Sequence, residues 1–214
     1  MCYDIKTSII ALLVNILSCI ILLFYSKNNP LSLQLKTISL FYLYIGVMQF
    51  WDMIFWAYPA NTTINQCSTK AAMIWSHFEP IVLGLLIIFV MREKLTRFSS
   101  AVFYVYIICA ILYSIYVYGK LKGTKQIEKT EGSLYWEWTD HTEFKVYFYS
   151  IFMFTVIVLV YSHFSGWIRN VNMISIVGLF IFSWYKYSIK KSTGRFWCYF
   201  GAFIPLIYVF ILFI

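Results

Sequence analysis

An α-helix needs roughly 20 consecutive apolar residues to cross about 30 Å of hydrocarbon, and this chain offers seven such runs. They cover residues 8–25, 34–58, 71–91, 98–118, 144–163, 168–187 and 196–214. The second is long enough to tilt or to project beyond a bilayer. No stretch alternates with the two-residue period of a membrane barrel strand. The runs therefore predict an all-α fold, a polytopic transmembrane bundle of seven helices, with residues 1–214 forming one domain.

Composition removes the soluble alternatives. Hydrophobic residues make up 61% of the chain and charged residues 12%, about half the charged share of an ordinary globular domain. A chain of 214 residues lacks the interior to hide that much apolar surface. So apolar a chain does not stay disordered either. The formal charge of +8 would point to nucleic acid in a soluble protein. Here the cations fall between the apolar runs, where they meet lipid head groups and set topology. Membrane lipids are the expected partners and nucleic acid is not. The protein is expected to be integral to a membrane, with the endoplasmic reticulum, the plasma membrane and a viral or host membrane all open.

Most connections are short. Residues 119–143 are the exception and hold Glu128, Glu131, Glu137, Asp140 and Glu143, four lysines, and the aromatic run Tyr135, Trp136, Trp138. A solvated loop with an interfacial aromatic anchor is the first expectation, and a lid or short amphipathic hairpin the second. The first apolar run is too long for a signal-peptide core, and no small-x-small cleavage site follows it. It is expected to remain as the first helix.

Two signals on orientation conflict. Odd-numbered connections carry Lys27, Lys36, Arg92, Lys94, Arg97 and Arg169, fewer cations than the N-terminus and the even connections. That favours a cytoplasmic N-terminus. Asn61-Thr62-Thr63, however, is a glycosylation acceptor in the connection after the second run. Its use would put the N-terminus in the lumen, where Cys2 and Cys67 would share an oxidising compartment and could form a disulfide. Cys19, Cys109 and Cys198 lie within or near the apolar runs. With no CxxC and no paired histidines there is no metal framework, and no cofactor is expected.

Polar groups inside apolar runs are the informative ones. A carboxylate at mid-bilayer costs about 2.5–3.5 kcal/mol on insertion scales, so it faces the bundle interior and marks a site. The second run holds Gln49 and Asp52, three apart on one helical face, with Trp56 a turn further on. The third holds His77, Glu79 and Pro80. Counted from the shared Asn61 connection at 1.5 Å per residue, Asp52 and His77 fall at similar depth on antiparallel neighbours. Asp52 beside His77 is the arrangement of a proton relay or a buried charge pair. His77 and Glu79 are two apart and lie on different faces, so both cannot meet Asp52; Glu79 is close enough to the interface to snorkel.

Pro80 predicts a kink that frees a backbone carbonyl, and Gly84 a close helix approach. The competing reading makes Gln49, Asp52 and His77 interhelical hydrogen bonds that only fix packing, each worth about 1 kcal/mol. Asn15, Asn170 and Asn172 read as helix–helix contacts and His163 as an interfacial residue.

The chemistry excludes the best-known seven-helix classes. A retinal protein needs a lysine deep in its last span, and none follows Arg195. Met91-Arg92-Glu93-Lys94 is not the acidic-Arg-aromatic triplet of receptors coupled to G proteins. Zinc-dependent lipid hydrolases need more than three His, with a spaced pair in the last span. P-loops, GxSxG and HExxH are absent.

Met1-Cys2-Tyr3 with Ser8, Met48-Gln49-Phe50 with Asp52 and Trp56, Asn65 with Cys67, Glu79-Pro80, and Arg195-Phe196-Trp197-Cys198 form a recognisable set. Together they resemble a poorly characterised family of small seven-helix membrane proteins found in large DNA viruses, protists and bacteria. Its members start Met-Cys and carry Gln-x-x-acid-x-x-x-Trp in the second span; the acid here is Asp52, where Glu would be expected. The resemblance spans nearly the whole chain, implies the seven-helix count and singles out Gln49 and Asp52. It implies no mechanism.

Three functional readings follow. One is a multi-pass membrane component with a structural role. Another is a small-solute or proton-linked transporter or channel, with Gln49, Asp52 and His77 lining a polar chamber for a small molecule or ion. The third is an intramembrane enzyme acting on lipid, with Asp52 or Glu79 as base and His77 as its partner. No motif assigns a catalytic residue.

Overall fold

The computed structural model describes residues 4–127, 133–136, 138, 144–187 and 199–213. Helix α1 (Ile5–Tyr25) starts where the Asp4 carboxylate accepts the Thr7 N–H at 2.6 Å, a side-chain cap on one of the helix's unmade donors. A 3-10 turn at Ser26–Asn28 leads into α2 (Ser32–Gly46), which is interrupted at Val47 before α3 (Met48–Ala57). Next, α4 (Thr63–His77) and α5 (Glu79–Phe89) meet at Phe78 with a bend of 49°. Two uninterrupted helices, α6 (Arg97–Tyr118) and α7 (Lys145–His163), flank an antiparallel hairpin of β1 (Lys125–Ile127) and β2 (Ser133–Tyr135), with Gln126 opposite Leu134. Helices α8 (Gly166–Tyr187) and α9 (Ile204–Phe213) complete the described chain.

Among the described residues, Ile5–Tyr25, Ser32–Ala57, Arg97–Tyr118 and Lys145–His163 are long and apolar enough to cross a membrane, and α4 with α5 makes a fifth if the bent pair is one span. Gly166–Phe182 and Tyr199–Phe213 are shorter apolar helices. Among the described residues, every expected run therefore falls mainly on helix, but the bounds move. The third run, expected over 71–91, begins at Thr63. Thr62 caps it by accepting the Asn65 N–H, and the Thr69 hydroxyl bonds back to the Asn65 carbonyl. A capped polar segment thus extends the helix beyond its apolar part. The second run is two helices rather than one, and the last is interrupted at Ala202 and Phe203.

Helix α1 packs on α2, α3 and α9, α5 packs on α2, and α7 packs on α5 and α6. Gly84 permits the close approach expected of it: the Phe103 ring lies where a Cβ would stand. Large apolar side chains face outward, among them Leu17 at 59%, Ile115 at 69% and Phe89 at 73% exposure. Polar side chains such as Asn15, Gln49, Asp52 and Asn172 are fully buried. The described chain thus combines a largely apolar core that encloses some polar side chains with a surface rich in large apolar ones.

Candidate functional site

Proline has no N–H to donate to the carbonyl four residues back. Pro80, in the first turn of α5, therefore stands just past the break between α4 and α5. Carbonyls beside the break accept from side chains on other helices. The Trp75 carbonyl accepts from the Tyr44 hydroxyl at 2.9 Å, and the His77 carbonyl from the Tyr106 hydroxyl at 2.6 Å. The Val47 interruption is answered reciprocally, because the Trp75 indole donates to the Tyr44 carbonyl at 2.9 Å. The Tyr44 and Trp75 rings stack at 4.2 Å. Asn15 donates to the carbonyls of Tyr42 and Ala202 at 3.1 and 3.0 Å, while its side chain fills the space beside Gly46. Broken helices persist in apolar surroundings only when neighbours satisfy the freed backbone. Here they do.

The four polar residues expected at a site are all buried, but they divide between two places. Asp52 accepts the Trp136 indole N–H at 3.0 Å. Trp136 belongs to the 119–143 connection and stacks on Trp138 at 4.9 Å; both rings are buried, with Trp138 tilted against Phe55. The expectation of a solvated loop is therefore corrected: the described part is a hairpin strap folded back onto α3. Asn65 and Thr69 anchor its start. Asn65 donates to the carbonyls of Tyr58 (2.8 Å) and Thr124 (3.1 Å), and its Oδ1 accepts the Thr124 N–H at 2.9 Å. The Thr69 and Thr124 hydroxyls meet at 2.9 Å. Gly123, at φ +143°, passes the Ala60 carbonyl where a Cβ would collide, a backbone path that favours glycine.

His77 turns elsewhere. Its Nδ1 lies 2.9 Å from the Ser114 hydroxyl of α6, and its ring sits 4.6 Å from Phe148 and 5.4 Å from Tyr113. Its Nε2 has no hydrogen-bond partner among the described residues. The depth match with Asp52 thus produces no direct pair, because residue counting fixes height along a helix and not the direction faced.

Glu79 does not snorkel. It is 1% exposed in the first turn of α5, where the helix dipole favours a carboxylate, within electrostatic reach of the Tyr44 and Tyr106 hydroxyls. Two depressions stand out on the surface, an open apolar furrow of about 310 Å³ between α6 and α7 and a polar recess of about 230 Å³ beside Gln34 and Glu93. None of the four residues lines either one.

Sequence reasoning missed a second polar chain. His163, expected at the interface, is 6% exposed, with Nδ1 3.2 Å from Glu93 Oε2 and Nε2 3.0 Å from Ser99 Oγ. The Glu93 carboxylate, the imidazole and the Ser99 hydroxyl follow in line, and that hydroxyl also donates to the Thr96 carbonyl at 3.2 Å. The order matches a hydrolase relay. Ser99, however, is fully buried and caps α6 together with Thr96, whose Oγ1 accepts the Ser99 N–H at 3.1 Å. It has no open side for a substrate, so the chain is a tie between α6, α7 and the α5–α6 connection. No spacing rule could have found it.

Asn172 meets its expectation by accepting from the Tyr42 hydroxyl at 2.9 Å, whereas Asn170 is exposed. Asn61 stands exposed in the turn before α4, and Cys67 is exposed with a free thiol. Cys2 and Cys198 lie outside the described residues, and with Cys2 the expected disulfide. No known family model, curated protein or solved structure matches this chain.

Proposed function

We propose that this chain is a multi-pass integral membrane protein whose buried polar groups hold a bundle of partly broken helices together, a structural membrane component rather than an enzyme. The exposed apolar surface carries this reading: Ile115 and Phe89 point outward, and polar groups such as Asn15, Gln49 and Asp52 are kept inside. Lipid, unlike water, accepts that surface. The seven-helix count is part of the proposal. It treats Ser32–Ala57 and the bent α4–α5 pair as one crossing each, and the two shorter apolar helices as crossings.

The test is extraction. The chain should stay with membranes through an alkaline carbonate wash and leave them only in detergent. A monodisperse species in detergent-free buffer would end the reading.

A second reading, a small-solute or proton-linked transporter, draws support from two adjacent helices broken beside buried Asp52, His77 and Glu79. Half-helices at mid-membrane are the usual housing of such sites. In proteoliposomes, Asp52→Asn should then abolish proton-coupled flux with folding intact. Absence of any flux in the parent protein favours the structural role.

A further inference from the structure

The furrow between α6 and α7 is not lined by the polar residues themselves, although its floor residues Tyr113 and Phe148 also pack against the His77 ring. Its walls are two helical stripes with the same spacing, 109–112–113–116 on α6 and 144–147–148–151 on α7. Seven residues at 1.5 Å each make it about 10 Å long. Tyr113 and Phe148, stacked at 4.2 Å and nearly buried, form its floor. Leu112, Tyr116 and Tyr147 stand exposed along its sides at 63%, 44% and 70%. One end opens where α6 finishes and α7 begins, with Tyr116 edge-on to Phe144 at 6.3 Å. At that end the Lys120 ammonium lies 3.7 Å from the centroid of the Tyr116 ring, and Lys70 lies 4.6 Å from that of Tyr118.

We propose that this furrow seats one acyl chain of an anionic glycerophospholipid, with its phosphate held by Lys120 at the mouth. The inference rests on the membrane reading above. The lining selects the occupant. Helices associate in membranes through small residues that let backbones approach, and these stripes are Leu, Ile, Tyr and Phe apart from Cys109. A thin flexible chain fits such walls where a second helix does not. The cation selects the head group: Lys120 is exposed, its position over Tyr116 ties it to the furrow's rim, and a lysine near a membrane surface favours anionic lipid.

The test is native mass spectrometry of the protein released from nanodiscs containing equal phosphatidylglycerol and phosphatidylcholine. The parent protein should retain one phosphatidylglycerol in preference. Lys120→Gln, an exposed change that leaves the bundle intact, should cut that preference about five-fold, the factor that one cation near the surface is worth. Cys109→Trp, which fills the inner end, should reduce retention of both lipids. Equal retention of the two lipids by the parent, or an unchanged preference in Lys120→Gln, overturns the proposal while leaving the membrane reading standing. Failure to incorporate into nanodiscs, with the chain soluble in buffer alone, overturns both.

Discussion

The helices between Ser32 and Phe89 and the pair α6–α7 solve the same problem in opposite ways. The first group is broken twice, at Val47 and Phe78, and gathers the buried ionisable residues Asp52, His77 and Glu79. Side chains bond to carbonyls beside its breaks: Tyr44, Trp75, Tyr106 and Asn15. The second pair runs unbroken and is held mainly by aromatic stacking, Tyr113 on Phe148 at 4.2 Å and Tyr106 near Phe148 at 6.1 Å, with the Ser99–His163 contact as a polar tie. An interrupted backbone adds a need for outside partners, while a continuous helix meets most of its hydrogen bonds within itself. Substitutions should therefore be far more disruptive in the first group.

The largest effect is expected at Gly46. Gly46→Val drives side-chain atoms into Asn15 and dislodges the donor to Tyr42 and Ala202. Overpacking costs about 1–3 kcal/mol, and the orphaned carbonyls add to it; thermal unfolding in detergent should fall well below that of Leu112→Val on α6. Equal losses at the two positions would erase the contrast.

Next comes the strap. Asp52→Leu removes the acceptor of the Trp136 indole, a loss of about 1–3 kcal/mol for a buried donor. Asp52→Leu combined with Trp136→Phe should recover part of it. A double-mutant cycle with no coupling would show that the strap is held by Asn65 and Thr69 alone.

Tyr44→Phe is smaller, about 0.6–1.7 kcal/mol for one hydrogen bond in a membrane bundle. It should be non-additive with Trp75→Phe, since the two residues exchange donors.

The smallest effect lies at Asp4, outside the spans. The Thr7 N–H holds its carboxyl below the usual carboxylate range. A depressed folded value means the cap stabilises above the ordinary carboxylate pKa and fades as pH falls through the lowered one. Parent and Asp4→Asn should thus converge in thermal stability at acid pH; a gap that widens on acidification would contradict the cap.

Much of the architecture was legible because it is local. Apolar runs of helical length, Pro80 at a kink, Gly84 at a close approach and Asn15 and Asn172 as interhelical contacts are properties of a residue and its near neighbours. Two expectations fail for different reasons. Asp52 and His77 were matched in height, but height leaves rotation about the axis free, and His77 faces Ser114 instead. Glu79 was read for its distance from the helix end, when its place in the first turn of α5 decided its burial.

Hydropathy alone determined that these segments are apolar helices, because the cost of leaving such side chains in water exceeds every competing local preference. Tertiary structure decided the rest: Trp136 reaching back over some 80 residues to Asp52, Glu93, His163 and Ser99 joining three elements, and a lysine drawn over Tyr116 at the mouth of a furrow. Such contacts follow from the angle and rotation at which helices meet. Those are set by the whole packed interface, and no window of sequence contains it.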